Sequence, residues 1–418
     1  MAKKSGSAYA EVGVDGRLIL PPEVAEAFGL VPGARVRVDT DGGALRLHRP
    51  TTQLSRIYVE PTNRCNLDCV TCYRHNWDET LGRMSDATFA RILAGVAELQ
   101  PKPTLFFGGV GEPTLHTRLV SWIAQAHALG CRVELITNGT LLTESTSRRL
   151  IEAGLDLLWV SIDGATPESY ADVRLGAQLP TVLENIRHFA NLRDPGPLPK
   201  PEIGVAFVAM DRNFDDLPEV LRIAREHGAS RVKVSNVLAT DASLDRETLY
   251  DASSNDTAFL QSAYTPRLSL PQIPINTRTK DVLARVFSSG YHITFAGSPL
   301  DLAGDVCEFV ASGSMAVGWA GDVSPCLPLM HTHSHPIKGY RRTSHAHIVG
   351  NINVRGLLEL WRDPGYVSYR NQVQTFDFAP CTACGGCELL ESNDEDCMGN
   401  LRPTCGACLW AQGLVQCP

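Results

Sequence analysis

No window of this chain approaches 18 consecutive uncharged apolar residues, so the pattern offers no membrane-spanning helix. The start, "MAKKSGSAYAEV", lacks the apolar core of an export signal, and a cytosolic location without a membrane partner is the expectation. Positive charge is in the minority, with 38 Lys and Arg against 46 Asp and Glu. The net charge of −8 argues against a general nucleic-acid surface, so DNA is not an expected partner. The composition of a disordered chain is missing too: 44% hydrophobic and 20% charged residues describe a globular protein. At 418 residues the chain is too long for one core of ordinary size, and two or three domains are expected.

What the chain does have is cysteine, 13 in all. Its length, its odd cysteine count and the missing export signal speak against a disulfide framework, and reduced thiols in metal sites fit better. Three cysteines fall at 65, 69 and 72, Cys131 stands alone, and nine follow residue 306. Cys131 leads "CRVELITNG" into an apolar run and reads as a core thiol.

Residues 1–50 read as a small β-rich domain. The runs "RLIL" and "ARVRV" are strand-like and flank a short helix after Pro21-Pro22, and "DTDGGALRLH" reads as a hairpin. Gly16, Arg17, Leu20, Pro21 and Gly33 match the pattern of the AbrB/SpoVT swapped-hairpin fold, which this stretch resembles. The resemblance implies dimerisation. That family often binds DNA, but in this acidic chain a packing or dimerisation module is the expectation.

Residues 51–300 carry a β-then-α rhythm. Candidate strands are 57–62, 104–109, 133–139, 157–164, 203–210 and 232–238. Helical patterns lie between them, such as "SDATFARILAGVAEL" with Ser85 as N-cap and "TESTSRRLIEAG" ending at Gly154. Apolar strands alternating with helices imply an α/β fold with a parallel sheet, here a partial (β/α)6 barrel with its site at the strands' C-terminal ends. Residues 240–300 break the rhythm and read as a bridge or substrate-facing insertion. Residues 301–418 are rich in Cys, Gly and Pro, with little periodicity, and are expected to be held together by metal.

Three thiolates spaced Cys65-x3-Cys69-x2-Cys72 can hold three corners of a [4Fe–4S] cubane and leave one iron open. A zinc site would want a fourth ligand, for which His75 is the local candidate. The triad follows the first strand, "FFGGVGEP" follows the second, "ITNGTLL" ends the third and "VSIDG" the fourth. With these motifs in order, the chain resembles the radical S-adenosylmethionine (SAM) enzymes. The resemblance implies a cluster on Cys65, Cys69 and Cys72 whose open iron takes the amino and carboxylate groups of SAM, which is cleaved reductively to a 5′-deoxyadenosyl radical. It assigns the SAM amino group to backbone at Gly108, Gly109 and Val110, with Glu112 at a commonly acidic position. Asn138, Ser161 and Asp163 become ribose or carboxylate contacts, Arg174 a partner of the SAM carboxylate, and Asn236 a neighbour of the adenine.

The tail resembles a SPASM domain, opening at Cys307 and Gly321-x4-Cys326. This implies one or two auxiliary [4Fe–4S] clusters drawn from Cys307, Cys326, Cys381, Cys384, Cys387, Cys397, Cys405, Cys408 and Cys417. The spacings depart from the usual run and leave the partition open. A zinc ribbon from Cys381/Cys384 and Cys405/Cys408 is the alternative. Five of 12 histidines, at 331, 333, 335, 345 and 347, alternate in what reads as a loop. Such a cluster can bind metal or an oxyanion, or simply face solvent.

The N-terminal module, "CNLDCVTCYR", "GGVGEP" and the closing "DCMGN…PTCGACLWAQGLVQCP" together are similar to the radical SAM maturases of tungsten-cofactor oxidoreductases. The resemblance implies maturation of a tungstopterin-dependent, aldehyde ferredoxin oxidoreductase-type enzyme or of its cofactor. A peptide-modifying radical SAM/SPASM enzyme is a second reading. A redox-responsive DNA-binding regulator is a third, disfavoured because a sensor needs no glycine motif. Expected partners are a protein or bulky cofactor substrate, an electron donor such as ferredoxin or flavodoxin, and a second copy through residues 1–50.

Overall fold

Six short apolar segments make the frame: β1 (Arg56–Val59), β2 (Thr104–Phe107), β3 (Val133–Thr137), β4 (Leu157–Ser161), β5 (Glu202–Ala209) and β6 (Arg231–Asn236). They pair in parallel and in sequence order. Helices α1 (Asp86–Ala97), α2 (Leu119–Ala128), α3 (Glu144–Glu152), α4 (Leu179–Leu192) and α5 (Leu217–Glu226) alternate with them. Ser85 caps α1 by accepting the Thr88 N–H at 3.0 Å. Gly154, at φ +84°, closes the turn after α3. This computed structural model describes residues 9–41, 44–77, 79–193, 196, 199–249, 307–337, 339–379, 381–382 and 386–417. Between 250 and 306 it describes only 267–270, 276–279, 282, 292–295 and 298–299. The expected bridge at 240–300 therefore falls largely outside the described residues.

Parallel strands need cover on both faces. On one face Ile57, Val59, Leu105, Phe107, Val133, Leu135 and Val160 pack against Phe89, Ile92, Val96, Trp122 and Ile123 of the helices. On the other, Tyr58, Phe106, Leu157 and Trp159 meet Phe309, Val310, Cys307, Cys326 and Met330 of the tail. The tail fills the concave side.

The tail also lengthens the sheet. Its β7 (Ser314–Val317), fully buried, pairs in parallel with β1; β8 (Asp322–Ser324) follows antiparallel. Met315, Val317 and Val323 of these strands, with Leu357, Leu360, Trp361 and Tyr366 of the helices that follow, join the main hydrophobic core. The histidine segment is no loop: β9 (His333–Ile337) pairs antiparallel with β10 (Tyr340–Ser344). Arg370, on α6 (Pro364–Thr375), is buried, lies 3.6 Å over the Trp361 ring and donates to the Thr51 carbonyl, fastening the tail to the start of the barrel domain.

At the N-terminus the helix is Pro22–Ala27, and Val38–Asp41 pairs with Ala44–Leu47 as the hairpin pattern requires. The run "ARVRV" becomes strand only at Val38. Arg37, just before it, is drawn off to the Asp39 carboxylate at 2.8 Å and to the Gln374 carbonyl. Among the described residues no helix is long and apolar enough to cross a membrane.

Candidate active site

The loops that leave β1 to β4 at their C-terminal ends surround a cleft with about 760 Å³ of empty space, part of it open to solvent. Cys65, Cys69 and Cys72 all line it, together with Gly109, Val110, Gly111, Glu112, Asn138, Ser161 and Arg174.

Each sulfur faces N–H donors. The Leu67 backbone N–H reaches Cys65 Sγ at 3.4 Å, Arg74 Nε reaches Cys72 Sγ at 3.2 Å, and Arg174 Nη1 stands 3.8 Å from Cys69 Sγ. Burial pushes the Cys65 and Cys69 thiols up from their ordinary value, and Arg174 opposes the shift at Cys69. His75 is turned to the chain itself, its Nε2 3.0 Å from the Cys69 carbonyl.

The carboxylates are braces. Glu112 is buried and accepts from the Thr114 N–H (3.0 Å) and hydroxyl (2.6 Å), the Thr137 hydroxyl (2.7 Å) and the Asn138 N–H (2.8 Å). It thus ties the loop after β2 to the loop after β3. Asp163 is fully buried behind Arg174, accepting its Nε at 2.6 Å and the Val208 N–H at 2.7 Å. Burial alone would lower the Arg174 pKa; the neighbouring Asp163 carboxylate and Cys69 raise it instead, and the guanidinium stays charged at the cleft wall. Gly108 lies beneath the lining, where a Cβ would meet the Phe106 ring at 2.4 Å. Asn236 turns its amide to the Leu414 carbonyl at 2.8 Å, toward the tail rather than among the cleft-lining residues.

A second cavity lies inside the tail. Cys307, Cys326, Cys405 and Cys408 line it with His333, His335, Arg342, Tyr369 and Trp410. The four thiols are raised by burial, Cys307 to about 12. Of the remaining tail cysteines, Cys381 and Cys417 are half-buried, and Cys387 and Cys397 exposed. Cys384 lies outside the described residues. His331, His333 and His335 are buried, which corrects the solvent-facing option for these three; in β9 the alternating side chains face inward.

The radical SAM superfamily model matches residues 59–196, the segment that supplies this cleft. An iron–sulfur cluster-binding SPASM model matches residues 307–388. The chain carries a radical SAM domain followed by a SPASM domain. Among its relatives is the tungsten-containing aldehyde ferredoxin oxidoreductase cofactor-modifying protein of Pyrococcus furiosus, 29% identical over 366 residues that cover 87% of this chain and 96% of that one. A probable GTP 3′,8-cyclase of Methanococcus maripaludis is 31% identical over 42% of this chain and 55% of its own length. Among solved structures, SuiB of Streptococcus suis bound to SAM aligns with a TM-score of 0.53 at 15% identity, covering 81% of this chain and 72% of that one. That likeness concerns the fold.

The radical SAM residues suit the cofactors such domains carry. Three soft thiols with N–H donors around them are what an iron–sulfur cluster takes. Glycines let the loop after β2 pack closely on the segment after β1: a Cβ on Gly109, at φ +144°, would meet Glu60 at 2.7 Å, and one on Gly111 would meet the Thr62 carbonyl at 2.1 Å. Sequence reading missed three contributors, Tyr73, Arg74 and Glu60, and gave His331 no place beside this cleft. Arg74 and Tyr73 line the cleft directly after Cys72. Glu60, fully buried, accepts the Val110 N–H at 3.1 Å, and His331 reaches Glu60 at 3.1 Å and Glu79 at 2.5 Å. "YRH" after the last cysteine was visible; the glutamate–histidine pair, 271 positions apart, carried no local signal.

Proposed function

We propose that this radical SAM enzyme matures a tungsten-containing aldehyde ferredoxin oxidoreductase, acting on that enzyme or on its cofactor. One observation carries the reading: identity to the Pyrococcus furiosus cofactor-modifying protein extends over 96% of that protein, tail included, whereas the cyclase is matched over 55% of its length. Cys65, Cys69 and Cys72 would hold a [4Fe–4S] cluster, and when bound it would supply the electron for reductive cleavage of SAM.

The chain's own residues position and shield. Backbone at Gly109 and Val110 approaches the SAM amino group, and Arg174, held by Asp163, offers its guanidinium to the SAM carboxylate. Asn138 and Ser161 face the ribose. Glu112 keeps the two loops in register, so that cofactor and substrate meet in a fixed pose. Cys307, Cys326, Cys405 and Cys408 hold one auxiliary cluster. Cys381, Cys384, Cys387, Cys397 and Cys417 supply ligands for a second. A ferredoxin or flavodoxin delivers the electron.

Deleting the gene in its host and purifying the aldehyde-oxidising tungstoenzyme tests the assignment. Lost activity, with altered pterin or with metal retained in an inactive enzyme, is the expected result. Full activity with normal tungsten and pterin would rule the assignment out, and a modified short peptide absent from the deletion strain would make peptide maturation the function.

A further inference from the structure

His333 and His335 stand two residues apart on β9 and so share a face. Both are buried, and both line the tail cavity with the four thiols. Their rings stack with centroids 5.9 Å apart. The Nδ1–H of His333 donates to the His331 carbonyl at 3.0 Å, but among the described residues its Nε2 and both nitrogens of His335 meet no hydrogen-bond partner. The Nε of Arg342, at the same cavity, also lacks one there.

Buried polar atoms are normally partnered, so this group around one cavity calls for a ligand. Neutral His333 carries its one proton on Nδ1, where it donates to the His331 carbonyl, so its Nε2 accepts; His335 has one N–H to give and Arg342 Nε only donates, so these two ask for an acceptor. Among the described residues no protein oxygen provides it. A cluster bound by four thiolates does: it presents sulfur acceptors in several directions and carries negative charge.

We infer that His335 is a hydrogen-bond donor to the auxiliary cluster held by Cys307, Cys326, Cys405 and Cys408, and that it sets the cluster's reduction potential. The inference rests on the four-cysteine assignment proposed above. With four thiolates present the imidazole is not needed as a ligand; it acts on the sulfurs. Donors to sulfur stabilise the more negative, reduced state and raise the potential. The position gives this consequence: Tyr73, next to Cys72 and in the SAM cleft, lies 5.0 Å ring to ring from His333, so one side chain separates the two sites.

The test is a redox titration, monitored by electron paramagnetic resonance, of the full-length protein reconstituted with iron and sulfide. His335→Leu should retain its iron but show the auxiliary couple shifted to lower potential. At fixed poise the reduced-to-oxidised ratio should fall about tenfold, which is about 59 mV for a one-electron couple. His335→Gln, which keeps an N–H donor, should recover most of the shift. An unchanged potential in His335→Leu would overturn the inference. Pulsed resonance on the unmutated protein with 15N-histidine needs no variant to fold: weak nitrogen coupling is expected, while a strong coupling from an iron–nitrogen bond, or none, contradicts it. Cys326→Ala separates the two levels. It should cost about four irons; iron retained there would overturn the cysteine assignment itself, and the inference with it.

Discussion

Asp163 fixes Arg174. One carboxylate oxygen accepts the guanidinium at 2.6 Å while the other accepts the Val208 N–H at 2.7 Å, and the arginine's far nitrogen stands 3.8 Å from Cys69 Sγ. Removing one member of a buried pair leaves the other charge uncompensated, at about 3–5 kcal/mol. Asp163→Asn should lower unfolding free energy by that order in a denaturant titration. It should also cut SAM cleavage about tenfold or more, equal to about 1.4 kcal/mol of lost positioning. A variant as stable and as active as the parent would show that the pair orients nothing.

His331 makes stability depend on pH. Burial alone would lower its pKa, but hydrogen bonds to Glu60 and Glu79 raise it from 6.5 to about 9. The folded state therefore holds a proton that the unfolded chain releases earlier. This stabilisation is full below about pH 6.5 and is lost as pH rises through about 9, in total on the order of 3 kcal/mol. Melting temperatures measured from pH 6 to 10 should fall across that window in the parent and less steeply in His331→Gln. Parallel curves would contradict it.

Much of the barrel was legible because its inner strands are mostly apolar, as strands covered on both faces must be, and because Ser85 and Gly154 punctuate helices by their own local chemistry. The cysteine triad and glycine loop were legible for the same reason: each is a short contiguous piece whose chemistry is complete within it. What stayed hidden depends on distant pairing. "SMAV" at 314–317 carries no mark of its docking on β1. The sequence separates Cys326 from Cys405 by most of the tail, and only the fold brings both to one cavity. "HTHSH" reads as a polar surface run until β9 turns its histidines inward.

Iron content should follow the sulfurs. Replacing Cys65, Cys69 and Cys72 together with Ala should remove about four irons per chain and leave the tail's iron in place. Zinc in the tail of anaerobically purified protein, with iron confined to the triad, would favour the ribbon instead.

Residues 1–50 should hold two copies together. Their helix buries no residue, and Tyr9, Val12, Leu18, Ile19, Val31, Val38 and Leu45 are exposed, more apolar surface than a lone module of this size leaves uncovered. A chain beginning at Thr51 should elute as a monomer and the full chain as a dimer in size-exclusion chromatography with light scattering. Equal monomeric masses would argue against it.

The cleft formed by Cys65, Cys69, Cys72 and the glycine loop is tested most directly by counting 5′-deoxyadenosine. Anaerobically reconstituted protein, given SAM and a strong reductant, should release it even without a second substrate, and the triple Cys→Ala variant, its tail iron intact, should release none above background. Undiminished release from that variant would place the chemistry elsewhere in the chain.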